Sequence, residues 1–232
     1  PFFLGMEGSG IIESIGPDVK DLNIDDEVMF GGWGHGAMAN YIVLPESKIS
    51  KKPNALNMAE AAAFATAYTT AYVSLIRRGE MKPDDTVLIH GSSGGVGMAA
   101  VQLAKMFGNR VIATGTSGKK LEIVKSWGAD HVVNTLKDGI TAFREEVKDL
   151  TDGKGADLIY DPVGGDVFDE SIRCINWNGR LLIVGFTSGR LPTLPVNIAL
   201  IKGFSVIGVR AGEYGIRDPE KVAETKKIIY EL

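Results

Sequence analysis

The residues with the clearest chemical purpose are His90-Gly91-Ser92-Ser93-Gly94-Gly95-Val96-Gly97. They follow a short apolar run and precede an amphipathic one, the setting in which a glycine-rich turn aims backbone N–H groups and a helix N-terminus at an anion. Small residues at Gly94 and Gly95 let those donors approach a pyrophosphate, and Gly97 lets the helix pack closely on the strand. Ser93, Gly94, Gly95 and Val96 are the candidate contacts. Ser92 stands where the usual G-x-G-x-x-G has its first glycine, so the match is partial. A purely structural tight turn is the alternative reading.

A site that selects a bare adenosine ribose places an Asp or Glu roughly twenty residues further on, at the end of the second strand. Here that stretch reads Ala113-Thr114-Gly115-Thr116-Ser117-Gly118-Lys119-Lys120, without a carboxylate. Hydroxyls at Thr116 and Ser117 and the ammonium of Lys120, or of Lys119, suit a 2′-phosphate, so NADPH is expected over NADH. The same lysines would also serve as a solvated first helical turn.

These loops need elements to hold them. Strand-like runs at Thr86–Ile89, Arg110–Ala113, His131–Val133, Asp157–Tyr160, Arg180–Val184 and Phe204–Val209 are short and continuously apolar, as in a parallel sheet covered on both faces. Helical spacing places Val96, Ala99, Ala100, Leu103, Ala104 and Phe107 inward in the first intervening helix, Leu121, Val124 and Trp127 in the second, and Ile140, Phe143, Val147 and Leu150 in the third. Gly108 and Gly128 are placed to end the first two. The expected fold is therefore α/β, a Rossmann doubly wound parallel sheet.

The first fifty residues differ in texture. Gly10–Ile15, Glu27–Phe30 and Asn40–Leu44 read as antiparallel strands separated by turns. Asn57 with Glu60 three residues on forms a capping box, so a helix is expected from near Met58.

Composition narrows the function classes. The 232 residues are 44% hydrophobic and 23% charged, which excludes collagen-like, coiled-coil and disordered chains. The net charge is −4 and no basic run exceeds two residues, so nucleic acid is not an expected partner. The sixteen uncharged residues Ala61–Ile76 fall short of the roughly twenty apolar ones that a membrane span needs, and their Ala, Thr, Tyr and Ser content suggests a buried helix. Cys174 is the single cysteine and reads as an inert core thiol, in keeping with a reducing compartment. Pro1-Phe2-Phe3-Leu4-Gly5 reads like the interior of a domain, without a basic and apolar leader, so a preceding segment is expected. A cytoplasmic location is expected, or a mitochondrial one if that segment carries a targeting signal.

Together with the glycine loop, Gly5-Met6-Glu7-Gly8-Ser9-Gly10, Asp26-Glu27-Val28, Gly36–Tyr41, Thr70-Ala71-Tyr72, Gly128-Ala129-Asp130, Asp161-Pro162-Val163-Gly164-Gly165 and Gly179-Arg180 through Gly189 resemble the medium-chain dehydrogenase/reductase superfamily, in its zinc-free NADPH:quinone oxidoreductase branch. The likeness covers essentially the whole chain. It implies a partial GroES-like β domain over residues 1–57 and a Rossmann domain over 58–232, whose terminal helix leads back towards the catalytic domain. By motif position it places Thr70 beside a nicotinamide and makes Gly185, Phe186 and Val209 the walls of its pocket. It further implies an NADPH-dependent reductase of a quinone or similar small electrophile, and a homodimer joined through the edge strand Phe204–Val209. An enone or enoyl-thioester reductase and a cofactor-binding protein without turnover are the alternatives.

Departures from the family pattern are local. Asn134-Thr135 replaces the Asn-Tyr that relatives often carry near the 2′-phosphate, and Asp25 replaces the usual turn glycine. Zinc-dependent relatives carry a ligand His where Met6 stands, together with a Cys-rich lobe absent here. His35, His90, His131 and Cys174 fall on separate segments, so no metal is expected. His90 reads as a core or loop-supporting residue. Glu7 reads as a buried structural carboxylate or a salt-bridge partner. No catalytic residue is assigned, since Tyr41, Tyr68 and Tyr72 suit core packing at least as well.

Overall fold

The computed structural model describes residues 4–31 and 36–232; His35 lies outside the described residues. The chain forms two compact units, residues 1–69 with 215–232 and residues 70–214, and the first boundary falls inside a helix.

In the first unit β1 (Glu7–Ile11), β2 (Glu27–Gly31) and β3 (Ile49–Lys51) make an antiparallel sheet in that order. β2 is central and buries Val28, Met29 and Phe30. The expected strand at Gly10–Ile15 lies earlier, at Glu7–Ile11, because pairing with β2 runs from Glu7 opposite Gly31 to Ile11 opposite Glu27. The expected strand at Asn40–Leu44 is absent. Tyr41 and Val43 there are 75% and 97% exposed, so their alternation has no face to bury, and Tyr41 is not a core residue. β3 forms instead, beside β2. Asp25 adopts φ +70°, the conformation that accounts for a glycine being usual at this turn.

Helix α1 (Met58–Tyr72) begins with the capping box. Asn57 Oδ1 accepts from Glu60 N–H and Glu60 Oε2 from Asn57 N–H, each at 2.9 Å. Phe64 stacks on Tyr68 at 4.4 Å between centroids and meets Tyr230 of α8 (Pro219–Glu231) at 6.1 Å. Beyond Tyr72 the helix widens over Val73–Arg78. Gly79 N–H donates to Ser74 O at 2.7 Å, five residues back, and a side chain at Gly79 would strike that same carbonyl at 2.8 Å.

The second unit holds six parallel strands, β4 (Thr86–Ile89), β5 (Arg110–Gly115), β6 (His131–Asn134), β7 (Ala156–Asp161), β8 (Ile175–Ile183) and β9 (Ser205–Gly208). Their order is β6-β5-β4-β7-β8-β9. Helices α2 (Gly95–Met106), α3 (Gly118–Ser126), α4 (Ala142–Leu150), α5 (Gly165–Ser171) and α6 (Val196–Lys202) supply the crossovers, and α7 (Ala211–Arg217) follows β9. Right-handed crossovers that move outward to β6 and then back past β4 put helices on both faces of the sheet. Leu88, Ile112, Ile159 and Leu181 from the strands meet Phe143, Val147 and Phe168 from α4 and α5 in one buried cluster.

Three side chains expected inward are exposed. Phe107 and Trp127 are the C-cap residues of α2 and α3, and Ile140 precedes α4. Each lies where the helical spiral has ended or has yet to begin, so its angular position no longer follows the buried stripe.

Candidate dinucleotide site in the second unit

The direction of the sheet reverses between β4 and β7, and the crevice at the carboxyl ends of such neighbouring strands is where α/β sheets take ligands. Two loops meet there. Gly91, at φ +56°, would bring an added Cβ to 3.3 Å from both Pro162 Cγ and Val163 Cγ2, so the loop after β4 lies against the loop after β7.

The loop after β4 is held from below. Ser92 is fully buried; its N–H and Oγ both donate to Thr114 O, at 3.1 and 2.8 Å. Gly94 N–H donates to Gly91 O at 3.0 Å, and Gly94 is the N-cap of α2. Gly97 has no room for a side chain, because a Cβ there would stand 2.3 Å from Gly91 O. Gly94 and Gly95 are exposed, and at Gly95 an added Cβ meets nothing within 4 Å among the described residues. Gly95 is therefore not required by the fold's own packing. Its missing side chain leaves a bare backbone at the mouth of α2, where no side chain caps the helix among the described residues. That is the cradle a pyrophosphate needs.

At the end of β5, Thr114 and Gly115 are buried and Thr116 is exposed. Ser117 is the N-cap of α3 and its side chain makes no cap hydrogen bond, which leaves the hydroxyl available to a ligand. Lys119 and Lys120 are exposed on the first turn. Thr135 spends its hydroxyl on Gly115 O at 3.2 Å, and Asn134 Oδ1 accepts from the N–H groups of Leu136 and Lys137, both at 3.1 Å.

The loops after β7 and β8 are tied through Asp161. Its Oδ1 accepts from Val163 and Gly164 N–H, both at 2.8 Å, and its carbonyl accepts from Val184 and Gly185 N–H. Oδ2 is buried without a partner among the described residues, and burial holds this carboxyl above the usual carboxylate range. Gly185 lies close to Pro162, Phe186 is partly exposed, and Val209 donates its N–H to Ile183 O at 2.9 Å. The half-buried Thr70 accepts Ser74 Oγ–H on its carbonyl at 2.6 Å.

His90 was legible only as a support, and its ring shows what it supports. Nδ1 lies 2.8 Å from Thr114 Oγ1 and Nε2 2.8 Å from Ser171 Oγ, with Phe143 edge-on at 4.9 Å. Burial pulls its pKa down to about 3. Sequence reasoning missed Thr114 and Ser171 as partners of the ring, and the motif at Asp161–Gly165 marked the position of Asp161 without its bonds to the loops after β7 and β8.

Glu7 accepts Thr66 N–H at 3.1 Å, a structural role within the first unit. Cys174 is buried, and desolvation pushes its thiol up to about 12. Among the described residues no three His, Cys, Asp or Glu side chains converge to hold a metal ion, and no helix is long and apolar enough to cross a membrane.

Residues 95–227 match the family model of zinc-binding dehydrogenases, and residues 1–54 that of the alcohol dehydrogenase GroES-like domain. A quinone oxidoreductase-like protein 2 homolog of Nematostella vectensis is 40% identical over 227 residues, which cover 97% of this chain and 61% of that protein. The quinone oxidoreductase of Salmonella typhimurium is 31% identical over 235 residues, covering 100% of this chain and 70% of that one. Among solved structures, Escherichia coli quinone oxidoreductase complexed with NADPH superimposes with a TM-score of 0.84 at 29% identity, over 99% of this chain and 69% of that one.

Proposed function

Because the chain belongs to the medium-chain dehydrogenase/reductase superfamily, in its quinone oxidoreductase branch, we propose that it is the core of an NADPH-dependent, zinc-independent reductase of quinones or similar small electrophiles. It spans about 61% of the length of the Nematostella vectensis quinone oxidoreductase-like protein 2 homolog, so activity, acceptor and partners are proposals for the whole protein. The observation that carries the reading is the bare mouth of α2 at Gly94–Val96, beside a β5 end without a carboxylate.

Backbone N–H groups of Gly95 and Val96, with Ser93 beside them, would hold the pyrophosphate. Thr116, Ser117 and Lys120 would receive a 2′-phosphate, with Lys119 in reserve. Thr70, Gly185, Phe186 and Val209 would orient and wall the nicotinamide, which supplies the hydride when bound. A proton for the reduced acceptor would come from solvent or a nearby hydroxyl. Residues 1–57 are assigned to the GroES-like catalytic domain and 58–232 to the dinucleotide-binding domain, and a homodimer is the proposed assembly.

The test is oxidation of NADPH and NADH by the full protein with a quinone and a panel of enones and enoyl thioesters. Quinone turnover that prefers NADPH by at least about tenfold, equivalent to ~1.4 kcal/mol, and that a chelator leaves unchanged, is expected. Turnover of enones alone would move the protein to the enone or enoyl-thioester reductases, and NADPH binding without any turnover would make it a binding protein.

A further inference from the structure

His90 directly precedes the glycine loop, yet its ring is fully buried. Ser171 Oγ donates its hydrogen to Val167 O at 2.7 Å. A hydroxyl has one proton to give, so towards His90 it can only accept, which puts the ring proton on Nε2. Nδ1 is then the acceptor for Thr114 Oγ1–H. The other tautomer would either set lone pair against lone pair at Ser171 or forfeit the bond to Val167. Thr114 also carries the carbonyl that takes both bonds from Ser92. The loop, β5, the end of β4 and α5 are thereby joined in one directional relay.

We propose that His90, as its Nε2–H tautomer, is a positioning residue for the phosphate-binding loop, needed for the affinity of a dinucleotide whether or not that dinucleotide carries a 2′-phosphate. The inference rests on the dinucleotide-binding reading above. An apolar side chain would fill this place in the core, but it would strand the hydroxyl of Thr114 and loosen the residue on which Ser92 hangs. Since burial keeps the imidazole neutral, the relay keeps its direction throughout the physiological range. Lys120 would act through charge on the 2′-phosphate of the adenosine ribose, not on the pyrophosphate, so the two residues are separable by experiment.

Two measurements on the full protein test this. A long-range proton–nitrogen NMR spectrum should show His90 neutral and protonated on Nε2 from about pH 5 to pH 8. A ring protonated on Nδ1, or one that titrates in that range, would overturn the assignment. Fluorescence titration should then show the Kd for NADPH and for NADH raised by a common factor of about ten in His90→Leu and about three in Ser171→Ala, with His90→Gln recovering most of the loss. A lowered Tm with both Kd values unchanged would reduce His90 to a core residue, and a rise confined to NADPH would also overturn the proposal. If His90→Leu does not fold, the Ser171→Ala and His90→Gln proteins, which keep the site filled, decide the matter. A parent protein that binds neither dinucleotide would sink the functional reading and the loop's role with it, while the tautomer is read independently.

Discussion

His90 keeps its ring neutral at the expense of acid stability, and the sign of that effect follows from its displaced pKa. Between the ordinary value of 6.5 and the folded value of about 3, the unfolded chain takes up a proton that the native ring refuses. The contribution to stability is therefore complete above pH 6.5, declines as the pH falls, by at most about 1.4 kcal/mol per pH unit, and levels off below the folded value. Asp161 acts in the opposite sense, because its native carboxyl holds a proton longer than the unfolded one and that contribution is lost as the pH rises. Comparing His90→Gln with the parent isolates the imidazole. Urea denaturation over this acid range should give a flatter dependence in the variant, and equal slopes would mean that the ring charges in the native state. A second residue-scale outcome concerns the 2′-phosphate. Replacing both Lys119 and Lys120 by Ala should raise the KM for NADPH and leave that for NADH nearly unchanged, since charge-assisted hydrogen bonds of roughly 1.5–3 kcal/mol each are lost only to the phosphorylated cofactor. A double variant that discriminates as well as its parent would place the phosphate elsewhere.

At the level of elements, the strand–loop–helix unit of β4 and α2 separates what the fold needs from what a ligand needs. Gly97→Ala would drive a methyl into the Gly91 carbonyl and should lose about 1–3 kcal/mol of stability. Gly95→Ala meets open space, and as a better helix former it should keep or gain stability, by at most about 1 kcal/mol, while weakening NADPH binding because its methyl stands where the pyrophosphate would approach. Thermal denaturation beside a fluorescence titration of both variants checks this; stability and affinity falling together in Gly95→Ala would remove the argument for a cradle. The parallel strands were legible because burial at the centre of the sheet makes runs such as Val87–Ile89 and Leu158–Tyr160 continuously apolar, and the start of α1 because Asn57 and Glu60 satisfy each other locally. Tyr41 and Val43 misled, since alternation reports a strand only where one face is covered. The three residues of β3 carry too little pattern to be seen, and the widened turn before Gly79 depends on a backbone bond five residues back, which no side-chain period encodes. The same holds for the site: Gly94–Val96 could be read from spacing, whereas the partners Thr114 and Ser171 come to His90 from 24 and 81 residues away.

On the scale of the whole molecule, the six-stranded sheet has two edges, β6 and β9, and β9 is paired on one side by β8 only. A strand that presents free N–H and C=O groups is a template for another chain. Val206 and Ile207 lie at the middle of β9, with Ser205 and Gly208 exposed at its ends. If two copies join β9 to β9 about a two-fold axis between Val206 and Ile207, the strands run antiparallel and Ser205 of one protomer stands opposite Gly208 of its partner. Gly208 has open space around it and ordinary backbone angles, so a lysine there should be tolerated by the monomer. The double substitution Ser205→Lys with Gly208→Lys would then set like charges directly across the new pair at both ends, an arrangement that destabilises strand pairing. Light scattering on the full protein at micromolar concentration should give twice the chain mass for the parent and the single mass for the variant. A parent that is monomeric, or a variant that remains dimeric, would remove β9 as the joining edge.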